Sequence, residues 1–243
     1  MNLIIDIGNS FSKLILFKEN EIAQKEKHSA LEKKHLEKIL KKFPEVSSAM
    51  LSSVGEKQDW INEFLVHVNI KTYVLTRHLL LPFNINYKTP NTLGVDRIAL
   101  IAGAYARFNN LDVLVIDAGT CITYDFIDKN NNYIGGSIAP GLQMRLKAMH
   151  NFTASLPLIR WDGNDIELIG QTTESCMLSG TVHGIRAEVK GIIESYKMRY
   201  PNLTVIITGG DQMLFDKDLK SSIFADAYLL AKGMNFILNY NAD

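Results

Sequence analysis

The feature that most restricts the fold of this chain is a short pattern that occurs twice, about half a chain apart. Each copy has three aliphatic residues, then Asp, a small or apolar residue, Gly, and a hydroxyl or amide side chain. The copies are Leu3-Ile4-Ile5-Asp6-Ile7-Gly8-Asn9-Ser10 and Leu114-Val115-Ile116-Asp117-Ala118-Gly119-Thr120-Cys121. Apolar runs that end in polar turns predict buried strands. The duplication therefore predicts two related α/β halves with a cleft between them, residues 1–112 and 113–243.

The spacing of apolar residues predicts the other elements. Returning strands follow each copy, at residues 13–17 and 122–127, and further strands are predicted at residues 49–54, 72–75 and 203–208. Helices are predicted at residues 31–43, 57–68, 94–105, 141–150, 173–200 and 226–240. The glycine-rich residues 135–141 are predicted to form a loop, which either lines a phosphate or turns a tight corner.

A strand that ends in Asp-x-Gly is suited to binding phosphate. Glycine lets the backbone turn sharply and lets phosphate oxygens approach its N–H groups, and the next Asn, Ser or Thr adds donors. The aspartate would repel phosphate unless it holds a cation or a metal-bound water. One such motif is usually an ordinary turn, but two at equivalent positions favour a nucleotide site.

A third candidate is Gly94-Val95-Asp96-Arg97, at the start of a predicted helix. A carboxylate beside an arginine can accept a proton from a hydroxyl and pair with an anionic substrate. The alternative is that Asp96 only complements the helix dipole while Arg97 forms a surface salt bridge.

Several classes of protein are disfavoured by what the sequence lacks. It has no GxxxxGK[ST] motif of P-loop kinases and no GxGxxG motif of dinucleotide-binding folds. Lys plus Arg and Asp plus Glu are equal at 26 each, so the charge gives no reason to expect nucleic acid or an anionic membrane. There is no apolar run of membrane-spanning length and no signal-peptide pattern at the start, so a cytoplasmic location is expected.

Together these motifs resemble the type III pantothenate kinases, in order and over nearly the full chain. The Tyr87…Gly94-Val95-Asp96-Arg97 element distinguishes this family from other kinases with an actin-like fold. The remaining matches are Asp6 to Ser10 with Lys13, Asp117 to Thr120 with Asp125, residues 135–141, Thr173…Gly180…Gly184, and Thr208-Gly209-Gly210. The resemblance implies the α/β fold of the actin, Hsp70 and sugar-kinase superfamily, with two ribonuclease-H-like halves.

The resemblance also implies a reaction and roles for residues. The reaction is the ATP-dependent phosphorylation of pantothenate to 4′-phosphopantothenate, the first step of coenzyme A synthesis. The implied ATP-binding residues are Asp6, Ile7, Gly8, Asn9, Ser10, Phe11, Ser12, Lys13 and Thr120. The implied pantothenate-binding residues are Tyr87, Gly94, Val95, Asp96, Arg97 and Thr173. Asp96 would accept the proton of the substrate hydroxyl. Asp117 would hold a monovalent cation (K⁺ or NH₄⁺). Mg²⁺ would lie near Asp6, which would contact it through a metal-bound water.

The resemblance further implies a homodimer in which Thr173 reaches the pantothenate site of the partner. The sequence departs from the family pattern at Gly55-Glu56, after Ser52-Ser53-Val54, where an apolar residue and Pro are usual, and at Thr172, where Asn is usual. Two alternatives are a kinase of the same superfamily acting on a sugar or acetate, and a non-catalytic regulator resembling Bvg accessory factor. The presence of Asp96 and of both Asp-x-Gly motifs argues against the regulator.

Overall fold

The computed structural model describes residues 1–8, 11–53, 59–215 and 223–242. The chain divides into two compact units: Met1–Arg107 together with Leu229–Asp243, and Phe108–Tyr228. This division differs from the predicted ranges 1–112 and 113–243, because the last helix joins the first unit. No helix in the described ranges is both long and apolar enough to cross a membrane.

The first half of the chain contains six strands and three α-helices among its described residues. In order, they are β1 (Asn2–Ile7), β2 (Ser12–Lys18), β3 (Glu21–His28), α1 (Lys33–Lys42), β4 (Ser48–Ser53), α2 (Asp59–His67), β5 (Lys71–Val74), β6 (Asn84–Ile85), a 3₁₀ turn (Pro90–Thr92) and α3 (Val95–Phe108). The second half continues with β7 (Val113–Ala118), β8 (Cys121–Ile127), β9 (Asn132–Pro140), α4 (Leu142–Asn151), α5 (Thr173–Arg199), β10 (Thr204–Thr208), a 3₁₀ turn (Gln212–Phe215), β11 (Phe224–Ala225) and α6 (Leu229–Ala242).

The two units share one strand topology. In the first unit the strand order is β3-β2-β1-β4-β5, and in the second unit β9-β8-β7-β10-β11 are neighbours in the corresponding order. The first three strands of each series are antiparallel, whereas β4 and β10 run parallel to β1 and β7. The predicted duplication and the α/β fold class are thus confirmed.

Most predicted elements form within three residues of their predicted bounds. The loop predicted at residues 135–141 is wrong, because most of this segment belongs to β9, which pairs antiparallel with β8. Its glycines reflect a close approach between the strands: a Cβ atom on Gly136 would overlap the carbonyl oxygen of Tyr124. Strand β3 was not predicted, because it is a charged strand with no buried residue.

Side-chain amides tie α6 to the first unit. Asn235 is 2% exposed, its Nδ2 donates to the carbonyl oxygen of Glu19 at 2.9 Å, and its Oδ1 accepts from Asn2 Nδ2 at 2.8 Å. Nearly two turns further on, Asn241 exchanges two hydrogen bonds with the backbone of Leu80, at 2.9 and 3.0 Å. These contacts explain why the last helix departs from the predicted domain range.

Candidate active site

The first Asp-x-Gly motif forms the end of β1 and the turn that follows. Asp6 lies opposite Lys13 of β2, and Lys13 Nζ is 3.8 Å from Asp6 Oδ2. The turn is closed by the N–H of Gly8, which donates to the carbonyl oxygen of Phe11 at 3.1 Å. Ser12 is buried and Ile7 partly buried. The remaining predicted ATP-binding residues, Asn9 and Ser10, lie outside the described residues.

The electrostatic environment of Asp6 links this motif to the third one. Burial raises the pKa of the Asp6 carboxyl, nearby Lys13 lowers it, and the negative charge of Asp96 raises it further. The side chain of Asp6 is only 13% exposed. Asp6 and Asp96 therefore lie close enough to repel each other, and a cation near them would relieve that repulsion.

The Gly94–Arg97 segment begins α3, as predicted. Asp96 lies in the first turn, where its Oδ1 accepts a hydrogen bond from the N–H of Arg97 at 2.9 Å. Arg97 is 6% exposed, and its guanidinium carbon is 5.7 Å from the centroid of the Tyr87 ring. Three predicted substrate residues, Tyr87, Asp96 and Arg97, are therefore brought together in one unit, and Val95 begins the helix beside them.

One residue that supports this segment, Arg77, was not among the predicted site residues. Nε of Arg77 donates to the carbonyl oxygen of Leu93 at 2.7 Å, just before the helix begins. In the preceding 3₁₀ turn, the hydroxyl of Thr92 donates to the carbonyl oxygen of Thr89 at 2.9 Å. An arginine after a strand carries no local signal of this contact, because its partner is 16 residues away.

The second Asp-x-Gly motif occupies the equivalent place in the second unit, at the end of β7 and in a shorter turn before β8. Asp117 near the end of β7 lies between Thr123 of β8 and Thr208 of β10. The N–H of Gly119 donates to the carbonyl oxygen of Cys121 at 3.0 Å. Thr120 is exposed, and its carbonyl oxygen accepts from the N–H of Gly141 at 3.1 Å. The turn thus leaves the predicted ATP contact, the Thr120 side chain, accessible.

A glycine after β10 keeps space beside Asp117. Gly209 has φ +98°, and a Cβ atom there would lie 2.5 Å from Asp117 Oδ1 and would overlap the carbonyl oxygen of Ala118. Both the backbone conformation and the close approach require glycine. Asp211 follows in the same turn, where its N–H donates to the Ala118 carbonyl oxygen at 2.9 Å and burial raises the pKa of its carboxyl.

Thr173 occupies the first position of α5, and its side chain is exposed. The residue before it, Thr172, is the N-cap, and its hydroxyl oxygen accepts from the N–H of Ser175 at 3.1 Å. Threonine can supply the same capping oxygen as asparagine. The departure at Thr172 therefore leaves the start of α5 well capped, while the departure at Gly55-Glu56 lies outside the described residues.

Within the described ranges, no three His, Cys, Asp or Glu side chains form a group that could hold a metal ion. Magnesium is usually held by one or two carboxylates together with substrate phosphates and water. The partly buried carboxylate of Asp6 fits that role, because it lies beside the turn of a predicted phosphate site.

Comparison with known proteins identifies the family. The model of the type III pantothenate kinase family matches residues 2–195 of the chain. The type III pantothenate kinase of Christiangramia forsetii is 44% identical over an alignment of 247 positions, which covers 99% of this chain and 99% of the relative. That of Bacteroides fragilis (strain YCH46) is 43% identical and covers 99% of this chain and 98% of the relative.

The chain belongs to the type III pantothenate kinase family. Membership of this family means that it phosphorylates pantothenate, the first step of coenzyme A synthesis. ATP, accompanied by a divalent metal ion, supplies the phosphoryl group.

Solved structures support the fold. A Campylobacter jejuni protein described as a Baf family transcriptional activator is 24% identical with a TM-score of 0.61, covering 99% of this chain and 98% of that one. A glucokinase from an Antarctic psychrotroph is 12% identical with a TM-score of 0.50, covering 98% of each chain. At these identities the similarity concerns the fold alone, which is that of the actin-like ATPases and sugar kinases.

Proposed function

We propose that Asp96 is the proton acceptor in the transfer of the ATP γ-phosphoryl group to the primary hydroxyl of pantothenate. The observation that carries this proposal is the position of Asp96, in the first turn of α3, beside Arg97 and within electrostatic range of Asp6. A primary hydroxyl must lose its proton as the new P–O bond forms, and a carboxylate within hydrogen-bonding reach can accept it.

The neighbouring residues are suited to hold the substrate. Arg97 is nearly buried against the face of the Tyr87 ring, so its guanidinium is pre-oriented to pair with the pantothenate carboxylate. Gly94 and Val95 would contact the same substrate at the start of the helix. A base and an anion anchor on one rigid segment would fix the hydroxyl relative to the carboxylate of the substrate, which favours productive orientation.

The two Asp-x-Gly turns are proposed to bind ATP and its cations. In this proposal, Asp6 to Lys13 contact the phosphates, Asp6 holds Mg²⁺ through a metal-bound water, and Thr120 also contacts ATP. Asp117 is proposed to hold the monovalent cation, K⁺ or NH₄⁺. The support is chemical: an aspartate at such a turn avoids repelling phosphate only if a cation lies between them.

A cytoplasmic location is also proposed. It fits the use of ATP and the two cysteines, which are both free thiols.

A homodimer is also proposed, with α5 in the interface and Thr173 contributing to the site of the partner. Along the exposed side of α5, a Cβ atom on Gly180, Gly184 or Gly191 would meet no other atom within 4 Å. Small residues let two backbones approach closely. The segment just before α5 adds apolar surface, with Leu168 and Ile169 72% and 80% exposed.

The decisive experiment compares Asp96→Asn with the unchanged protein. Asparagine keeps the size of the side chain but removes the basic oxygen, so turnover should fall by about 100-fold or more, while ATP binding and the thermal transition are retained. Arg97→Ala should act mainly by raising the KM for pantothenate. If Asp96→Asn kept near-normal turnover, Asp96 would only be a charge at a helix start.

The same assay, with sodium in place of potassium and ammonium, tests the proposed monovalent-cation site. Equal rates in sodium and in potassium would contradict that proposal.

A further inference from the structure

A row of charged side chains crosses three strands of the first unit beside the predicted phosphate turn. Asp6 of β1 lies opposite Lys13 of β2, and Lys13 lies opposite Lys27 of β3. Directly opposed residues of antiparallel strands point to the same face of the sheet. Two ammonium groups and one carboxylate therefore share one face, at the end of the β1–β2 hairpin where the turn lies.

The two lysines differ in how their charges are balanced. Lys13 Nζ is 3.8 Å from the carboxylate of Asp6, whereas Lys27 forms no ion pair with any residue that the structure describes. Like charges on directly opposed positions of two strands destabilise the pair. An anion bound between Lys13 and Lys27 would remove that repulsion.

Lys27 is nevertheless held in a defined position. Its Nζ lies 3.7 Å from the centroid of the Phe11 ring, a contact in the range of cation–π attraction. Phe11 is the residue that closes the β1–β2 turn, because its carbonyl oxygen accepts the hydrogen bond from Gly8. Phe11 is 45% exposed, so the contact fixes the ammonium at the accessible edge of the turn rather than inside the core.

From this geometry we infer that Lys27 is a positioning residue for the phosphates of ATP, acting with Lys13 as a two-lysine clamp on the β1–β2 turn. The inference rests on the proposed binding of ATP at this turn. Nothing in the sequence of β3 marks this role, because half of the residues of Glu21–His28 are charged and the strand resembles a solvated edge. Only the register, which aligns Lys27 with Lys13 and Asp6, distinguishes it from Lys25, the other lysine of the strand.

The test measures binding of ATP, ADP and AMP by calorimetry to the full chain and to three variants. Lys27→Met should weaken ATP binding by about tenfold or more, the typical cost of losing a charged hydrogen-bonding partner, with a smaller loss for ADP and little change for AMP. Lys27→Arg should retain most of the affinity for ATP. The matched control is Lys25→Met, which removes the same charge two residues away on the same strand and should change ATP affinity less than about twofold.

A further variant examines the contact between the Phe11 ring and Lys27. Phe11→Leu leaves the charge of Lys27 in place but removes the ring that holds it, so ATP binding should weaken less than in Lys27→Met. Combining Phe11→Leu with Lys27→Met should add little further loss, because both act on one contact. A fully additive loss would contradict the role given to the ring.

Two outcomes would overturn the inference. Equal losses in Lys27→Met and Lys25→Met would assign the effect to overall charge, and an unchanged ATP affinity in Lys27→Met would remove Lys27 from the site. Failure of the proposed function is distinguishable, because it would appear as absent ATP binding or absent pantothenate phosphorylation in the unchanged protein.

Discussion

The fold and the proposed function favour different protonation states of the carboxyl group of one residue, Asp6. Its position at the end of β1 largely removes its carboxyl from water, which raises the pKa, and Lys13 at 3.8 Å only partly offsets this. The ionised form, which cation binding needs, is therefore the form that the fold disfavours. Charged groups of this kind are common at sites where function takes precedence over stability.

This conflict predicts how stability depends on pH. Because the folded-state pKa of Asp6 is raised, its protonated form contributes stability that is present below about pH 3.9, the ordinary value for aspartate, and is lost as the pH rises through the raised pKa. Asp6→Asn, which cannot ionise, should therefore unfold at a higher temperature than the unchanged protein at pH 7 and lose activity. Thermal unfolding from pH 3 to pH 8 measures this.

The matched control is Asp59→Asn, at the exposed start of α2, which should show no such stabilisation at pH 7. A lower unfolding temperature for Asp6→Asn than for the unchanged protein at pH 7 would contradict the prediction. In that case the ion pair with Lys13 would outweigh the effect of burial.

The positions of candidate residues in the fold could be predicted where the signal was local. Three aspartates belong to short motifs that indicate their chemistry in the sequence. Asp6 and Asp117 lie near the ends of the predicted strands, and Asp96 lies at the start of the predicted helix. Arg77 and Lys27 were not predicted, because their significance comes from a carbonyl group and an aromatic ring that lie 16 residues away in each case.

At the scale of elements, α6 depends on amide side chains as well as on apolar packing. Asn235 bridges the carbonyl oxygen of Glu19, which has φ +56°, and the amide of Asn2. The amide thus joins the start of β1 and the β2–β3 turn to the last helix. A buried amide with both ends paired is costly to remove, because its partners lose their hydrogen bonds inside the protein.

Asn235→Ala should therefore lower the free energy of unfolding by about 1–3 kcal/mol, measured by urea titration. The matched control is Asn239→Ala, one turn further along α6, where the side chain is exposed and accepts a single bond from Asn2 at 2.7 Å. Its effect should stay within about 0.5 kcal/mol. Equal effects of the two substitutions would mean that the buried bridge adds nothing to the attachment of α6.

Element prediction succeeded where hydrophobic periodicity was strong and failed where other forces dominated. Helices α1 to α6 and the buried strands carry clear apolar spacing, and their bounds were close. Strand β9 was mistaken for a loop because its glycines resemble turn residues, although they serve the close approach to β8. Strand β3 was missed because an exposed strand held by backbone hydrogen bonds needs no apolar alternation.

At the scale of the whole molecule, the exposed glycine face of α5 predicts the assembly. Gly184→Arg places a long charged side chain where we propose that two helices meet, so it should convert a dimer of twice 27.3 kDa into a monomer. Light scattering at micromolar concentration measures the mass. Asn62→Arg, on the exposed side of α2 in the first unit, introduces the same group elsewhere and should leave the dimer intact.

If Gly184→Arg kept the mass of a dimer, this face of α5 would not be part of the interface. If the protein without substitutions were a monomer, the proposed dimer would be wrong. Because Thr173 at the start of α5 is proposed to serve the partner's site, the monomeric variant should also bind pantothenate more weakly. Normal pantothenate affinity in a monomer would separate the site from the assembly.

The overall duplication could be predicted because the two Asp-x-Gly motifs repeat in sequence, and the matching strand orders confirm it. The division of the chain into these two compact units could not be predicted from local sequence patterns. Helix α6 follows β11 in the chain but contributes to the first unit, and its attachment depends on amides whose partners lie more than 150 residues earlier. No local sequence pattern indicates a contact between residues that lie so far apart in the chain.

The return of α6 to the first unit has a consequence for how the protein is made. Residues 1–107 leave the ribosome first, but the helix that completes their unit is encoded after the whole of residues 108–228. At typical translation speeds, the first unit waits on the order of 10 s for α6. During that interval the residues of the first unit that pack against α6 lack this partner, so the first unit cannot complete its fold until residues 108–228 have also been made.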